Sequence, residues 1–300
     1  MAKKKEEELT YVDKKGKRLD GRGLTDLRPI KIEVGVVPRA DGSAYLEWGQ
    51  NKVVAAVYGP KECLPKHTAD PLKGRVNFYY RMATFSVPDR KNPKPGRRET
   101  EISKVCSEAL QKAIFLEQFP NTAIDVHVEI LDANAGTRIA GLTAAAVALA
   151  DAGIPMRGVV AGCTVGRAGG QIMLDVTKEE EDAPDAVDIP IAIIPSTEEI
   201  VLLQMDGLFT KAEWEKALPL GLEGCKKIAK LQEAALKKRF ETKEFLESVE
   251  AERVSEQALP QKPRVNPVVA AGPMLSADAS ETLDEENQEM EEALEEEVEQ

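Results

Sequence analysis

Between Ala123 and Pro155 the chain reads AIDVHVEILDANAGTRIAGLTAAAVALADAGIP, and this stretch limits the possible folds more than any other. Ile124, Val126, Val128 and Ile130 alternate with Asp125, His127 and Glu129. That period of two predicts a half-buried strand. The small, polar residues DANAGTR follow, and then from about Ile139 to Ala152 nearly every position is apolar. A helix with no polar face is a buried one. The order is therefore strand, loop of small residues, buried helix, with Gly136, Thr137 and Arg138 at the helix entrance. Free N–H groups and the positive end of the helix dipole converge at such an entrance, which suits a phosphate. An ordinary strand-to-helix turn has the same outline, so the rest of the chain has to decide.

The other elements follow from pattern and punctuation. Strands are predicted over Arg28 to Val37, Ser43 to Trp48, Asn51 to Tyr58 and Val76 to Met82, with Gly35, Asp41-Gly42 and Gly49 as turns. A helix is predicted from about Glu99 to Glu117, with Ile102, Val105, Cys106, Leu110 and Ile114 on one face. Val159 to Val165 and Ile172 to Val176 should form a hairpin around Ala168-Gly169-Gly170, followed by strands near Val187–Ile194 and Ile200–Met205. Thr210 and Glu213 make a capping box for the last helix. Pro219 should bend that helix or delay its regular part, and Leu222, Cys225, Ile228 and Leu231 supply an apolar stripe. Residues 1–16 read as a solvated arm and 250–300 as an acidic, disordered tail too poor in apolar side chains to offset chain entropy. Residues 17–249 are left as one α+β domain.

The formal net charge of -12 misleads, because Ser276 to Gln300 hold twelve Asp or Glu and no Lys or Arg. The remaining 275 residues are electrically balanced. Overall acidity therefore says nothing against a polyanionic ligand, which would need a local basic patch. The four cysteines, at 63, 106, 163 and 225, are too widely spaced for a metal-binding pair and point to reduced thiols and an intracellular protein, with the cytoplasm as the expected location. No apolar run approaches the roughly 18 residues needed to span a membrane.

Four groups of residues could carry chemistry. The first is the Gly136-Thr137-Arg138 entrance. The second is Arg97-Arg98, two cations placed where a helix start disfavours them, which hints at an anion nearby. The third is an acidic loop of Asp175, Glu179, Glu180, Glu181, Asp182, Asp185 and Asp188. Most of that loop reads as solvated charge. Asp188 differs, because it enters the apolar strand VDIPIAII, where a carboxylate must be paired, protonated or near a metal. A loop could bring Asp182 and Asp188 to one hard cation, held together with substrate phosphate and water. The fourth group is a basic and aromatic edge of Lys66, His67, Arg75, Tyr80, Arg81 and Lys91, where cations would follow a phosphate backbone and a tyrosine would stack on a base. Scattered surface charge and a core tyrosine account equally well for any one of these.

RLDGRGLTDLRPI, ADGSAYLEWG, GRRETEIS, ILDANAGTRIAGLTAAAVALADAGIP and EDAPDAVDIPIAI, in this order, resemble the ribonuclease PH family of 3′-exoribonucleases, in particular the catalytic ring subunits of archaeal RNA exosomes. The likeness covers roughly residues 17–245. It implies a fold like the second domain of ribosomal protein S5, with mixed sheets packed against helices. It implies phosphorolysis of single-stranded RNA, with inorganic phosphate as co-substrate and Mg²⁺ or Mn²⁺ as metal. It also implies a hexameric ring of three heterodimers with an inactive paralogous subunit, topped by RNA-binding cap subunits. By position, Gly136, Thr137, Arg138 and Arg98 match phosphate ligands and Arg97 an RNA-backbone contact, while Asp182 and Asp188 match the catalytic and metal-binding acids. Lys66 and His67 fall in a loop that contacts RNA in the family, and Lys66 stands where arginine is common. A non-catalytic ring subunit would be expected to lack the paired acids or the phosphate arginines. A small-molecule kinase of this fold would need a Gly/Ser-rich nucleotide loop, which DANAGTRIAG matches poorly. A stand-alone ribonuclease PH that trims transfer RNA stays open.

Overall fold

A computed structural model describes residues 11–13 and 16–241. The acidic tail and most of the N-terminal arm lie outside the described residues. The first sheet has five strands in the order β1-β2-β3-β5-β4: β1 (Ile30–Val34), β2 (Gly42–Trp48), β3 (Asn51–Glu62), β4 (Arg75–Met82) and β5 (Thr122–Asp132). As its alternation predicts, β5 buries Ile124, Val126, Val128 and Ile130 completely. His127 faces the other way, stacked on Tyr79 with ring centres 4.8 Å apart. Strand β3 runs four residues beyond Tyr58, and a register shift between Tyr58 and Lys61 absorbs Pro60.

Strands β4 and β5 pair in parallel, so the chain must cross over between them, and α1 (Arg97–Ala113) makes the crossing. On this edge strand α1 also supplies hydrogen-bond partners. Ser103 Oγ accepts from the Tyr80 N–H at 3.1 Å, and the Ser107 hydroxyl donates to the Val76 carbonyl at 2.8 Å. The helix ends earlier than expected because Ile114 turns extended and forms a bridge with Met156.

The second sheet is antiparallel, ordered β7-β6-β8-β9: β6 (Ala161–Ala168), β7 (Gln171–Leu174), β8 (Val187–Ile194) and β9 (Glu199–Leu203). A short helical turn, α3 (Lys178–Glu181), precedes β8. The buried helix is α2 (Thr137–Asp151), with Thr137 and every residue from Ile139 to Leu149 buried. It packs on β2, β3 and β5 of the first sheet and on β6 and β8 of the second. The last helix, α4 (Lys211–Phe240), opens on the predicted Thr210 cap, whose hydroxyl accepts from the Glu213 N–H at 3.3 Å.

Of the expectations for α4, the delayed start is not met and the apolar stripe is buried at Cys225 and Ile228 only. The helix runs on through Pro219, and its buried face is Ala217, Gly221, Gly224, Cys225, Ile228 and Gln232. Leu231 is exposed. Bare backbone is needed at Gly224, because a Cβ there would lie 2.8 Å from Leu174 Cδ1 and 2.9 Å from Cys163 Sγ. Along β6, Cys163 and Val165 meet α4 while Gly162 meets Ile139 of α2. Strand β6 is therefore covered on both faces, which is why Ala161 to Gly166 are buried without a break.

Candidate active site

Strand β5 delivers the chain to Ala133–Gly136, and α2 starts at Thr137. Gly136 caps the helix at φ +75°, a left-handed conformation that a side chain would strain. The first turn of α2 leaves its N–H groups without helical partners and carries no acidic residue. Thr137 is fixed from behind by Tyr80, whose hydroxyl donates to Thr137 Oγ1 at 2.9 Å.

A cavity of about 360 Å³ opens in front of this loop. Gly136, Thr137 and Arg138 line one side, Arg98 and Glu101 of α1 another, and Thr164, Glu181, Asp188, Gln204 and Asp206 the rest. Arg138 donates to Gln204 Oε1 and lies 3.3 Å from Glu101 Oε1, while Gln204 Nε2 donates to the same carboxylate oxygen at 3.0 Å. These neighbours hold the guanidinium at the cavity wall. Arg98 sits in the first turn of α1, where Glu99 answers the cap by accepting the Gly96 N–H at 2.8 Å. Arg97 and Arg98 form no ion pair with another described residue, and Arg97 does not line the cavity.

Asp188 is the unusual group here. Its Oδ1 is buried with no hydrogen-bond partner. Burial, then the neighbouring Glu181 and Asp206 charges, push its carboxyl up to about 7 against the opposing pull of Arg138 and Arg98. Glu181 is also raised, chiefly by burial. Such an acid can exchange a proton near neutral pH or accept a cation.

The predicted residues divide. Arg98, Gly136, Thr137, Arg138 and Asp188 share the cavity. Asp182 does not: its side chain is 64% exposed and accepts from Lys178 Nζ at 2.7 Å. One step along the turn of α3 swings a side chain by about 100°, so the residue facing the cavity is Glu181. Tyr80 is no stacking platform. It is 2% exposed, and burial pushes its hydroxyl up to about 12. Lys66 and His67 form a short exposed turn ahead of β4, with Lys66 paired to Glu62. That turn lies at the Arg75 end of β4, while Arg98 lies beyond its Met82 end. Gln204, Glu101, Thr164 and Asp206 are not singled out by sequence, and Glu181 stands out there only as one acid of the loop.

No three His, Cys, Asp or Glu side chains among the described residues are grouped as a metal site. The orphaned Asp188 oxygen beside Glu181 still fits a hard cation of the Mg²⁺ kind, which takes one or two carboxylates and completes its shell with phosphate and water. Among the described residues no helix is long and apolar enough to cross a membrane.

Models of the 3′ exoribonuclease family match residues 26–155 (domain 1) and 158–224 (domain 2). The chain is 55% identical over 240 residues to the exosome complex component Rrp41 of Thermoplasma volcanium, spanning 80% of this chain and 96% of that one. To the Pyrococcus furiosus Rrp41 it is 53% identical over 236 residues, 79% of this chain and 94% of the relative. Rice Rrp46 superposes with a TM-score of 0.66 at 24% identity, covering 73% of this chain and all of that one. A chain of the Archaeoglobus fulgidus exosome with RNA bound to the active site gives 0.62 at 22% identity, over 72% and 92%. These two likenesses concern the fold, an α+β arrangement of mixed sheets and helices. On the family models and the archaeal relatives together, the chain belongs to the 3′ exoribonuclease family, the ribonuclease PH family.

Proposed function

We propose that this chain shortens single-stranded RNA from its 3′ end by phosphorolysis. Inorganic phosphate attacks the last phosphodiester, the bond from phosphorus to the preceding O3′ breaks, and a nucleoside diphosphate leaves. The nucleophile is phosphate and not water, so the reaction is a reversible nucleotidyl transfer and no activated Ser or Cys is required. One observation carries this reading: Arg98, Arg138 and the N-terminus of α2 meet Asp188 in a single cavity.

The task of such a site is to hold two anions side by side. Arg98, Arg138 and the N–H groups at Gly136 and Thr137 offset the charge of the attacking phosphate. Arg97, exposed beside Arg98, would contact the RNA backbone. Asp188 would face the leaving oxygen and, when no cation holds it, can exchange its proton. Asp188 and Glu181 would hold Mg²⁺ or Mn²⁺, which when bound would offset charge on the scissile phosphate. Asp182 joins them only if its pair with Lys178 opens. Lys66 and His67 would touch RNA farther upstream.

The relatives are exosome components, and exposed Leu64, Leu72, Phe85 and Leu208 leave apolar surface for neighbours. The reading therefore includes a cytoplasmic hexamer with a paralogous, inactive subunit, three heterodimers to the ring, and RNA-binding caps. The test is RNA shortening by the purified chain, alone and with its paralogue, with and without phosphate. Nucleoside diphosphates that appear only with phosphate support it. Monophosphates released without phosphate refute it.

A further inference from the structure

The RLDGRGLTDLRPI motif has no part in the chemistry above, yet its last arginine reaches the phosphate loop. Arg28 is 7% exposed, and its Nη2 donates both to the Ala135 carbonyl at 3.1 Å and to Asp175 Oδ1 at 2.7 Å. Asn51, fully buried at the start of β3, donates its Nδ2 to the same Ala135 carbonyl at 2.7 Å. Its Oδ1 accepts from the Asn134 N–H at 2.6 Å. Two donors from outside the loop therefore hold one carbonyl.

The peptide joining Ala135 to Gly136 is planar, so its C=O and N–H point in opposite directions. Fixing the carbonyl on Arg28 and Asn51 fixes the Gly136 N–H on the other side. Gly136 lines the cavity, and its left-handed backbone has no side chain to limit rotation of that peptide. Something else must limit it. Asp175, which holds Arg28, is itself 1% exposed and accepts from Trp48 Nε1 at 3.0 Å, so the anchor is braced. Asn134 ties the loop to the acidic turn as well, because its Oδ1 accepts the Lys178 N–H at 3.1 Å.

We propose that Arg28 and Asn51 are positioning residues for phosphate: together they turn the Ala135–Gly136 peptide so that the Gly136 N–H addresses the bound anion. The inference rests on the phosphorolytic reading of the site. Neither residue touches substrate, and their effect falls on phosphate rather than on RNA.

The test uses the full chain in its active assembly and titrates inorganic phosphate in two ways, through the rate of RNA shortening and through protection against melting. Asn51→Asp keeps the shape but sets a carboxylate against the Ala135 carbonyl. Arg28→Lys keeps the charge beside Asp175 but loses the fork, and it decides the matter if Asn51→Asp does not fold. Each should raise the phosphate KM about tenfold while kcat at saturating phosphate and the RNA KM stay within about threefold. The phosphate needed for a given rise in Tm should increase in step. Folded variants with the wild-type phosphate KM overturn the inference, as does a parallel loss of kcat and RNA affinity at unchanged phosphate KM. A wild type that shortens RNA without phosphate, yet is protected by it, overturns the reaction alone, and the melting titration still decides the role of the loop. A wild type indifferent to phosphate in both readouts overturns the two together.

Discussion

Asp188 and Asp206 exchange two backbone hydrogen bonds, 3.0 Å and 2.8 Å long, across an isolated antiparallel bridge just past the end of β9. The bridge brings two carboxyl groups to one wall of the cavity, where Arg98 and Arg138 only partly compensate them.

Asp188→Asn should therefore lose activity and gain stability. Turnover should fall on the order of 10²–10³-fold with RNA affinity little changed. The Asp188 carboxyl titrates near 7 when folded, against an ordinary value of 3.8, so the folded state binds this proton more tightly than the unfolded chain. Its contribution is complete below the unfolded value and is lost as pH rises through about 7. In EDTA, Asp188→Asn should raise Tm at pH 8 and leave it unchanged near pH 3. An unchanged Tm at pH 8 would show that the wild-type charge costs nothing.

Arg98→Ala and Arg138→Ala should act mainly on phosphate. Removing either should raise the phosphate KM by about tenfold or more while part of the RNA affinity survives. Gln204→Ala, which frees Arg138 on one side only, should do the same more weakly. Equal losses for phosphate and RNA would place these arginines in general RNA binding instead.

Glu181→Gln and Asp182→Asn separate two adjacent acids. Glu181 lines the cavity, whereas Asp182 is bonded outward to Lys178, so the larger fall in kcat should follow Glu181→Gln. A larger fall with Asp182→Asn would mean that the Lys178 pair opens when substrate binds.

Tyr80→Phe should leave the RNA KM unchanged, because the ring is in the core and meets no base. It should cost about 1 kcal/mol in denaturant unfolding, the usual worth of one buried hydrogen bond, here the one to Thr137. A clear rise in RNA KM at unchanged stability would restore the stacking role.

Gly224→Ala tests the packing of α4. Alanine gains about 1 kcal/mol of helix propensity over glycine. Its methyl would press on Leu174 and Cys163 at 2.8–2.9 Å, and overpacking typically costs about 1–3 kcal/mol. The expected result is net destabilisation in chemical unfolding, and a stabilised variant would show that the sheet yields.

The loop at Gly136 can be read from sequence because its signals are local: alternation, small residues, an all-apolar helix, and arginines at helix starts that need an anion. What sequence does not show has equally local causes. Tyr80 shares the alternating face of Val76 and Phe78, and that face is the core; its neighbour Tyr79 is the one turned outward. Glu181 ends the four-residue turn and Asp182 caps it, so only the rotation of that turn tells which of the two adjacent acids lines the cavity. Gln204 carries no charge and follows no period, so nothing in one dimension marks it. On α4, glycines do the packing that leucines are expected to do, because the sheet comes too close for larger side chains.

Helix α2 has a further consequence for how this protein could have been built. The boundary between the two family domains falls at residues 156–157, yet α2, counted with the first, fills space against β6 and β8 of the second. The hydrophobic core is continuous across that boundary. The two domains are therefore not separate modules of folding. A chain cut at Met156 would yield two pieces, each exposing the surface that the other covers, and neither would hold an anion loop and an acid in register until they found each other again.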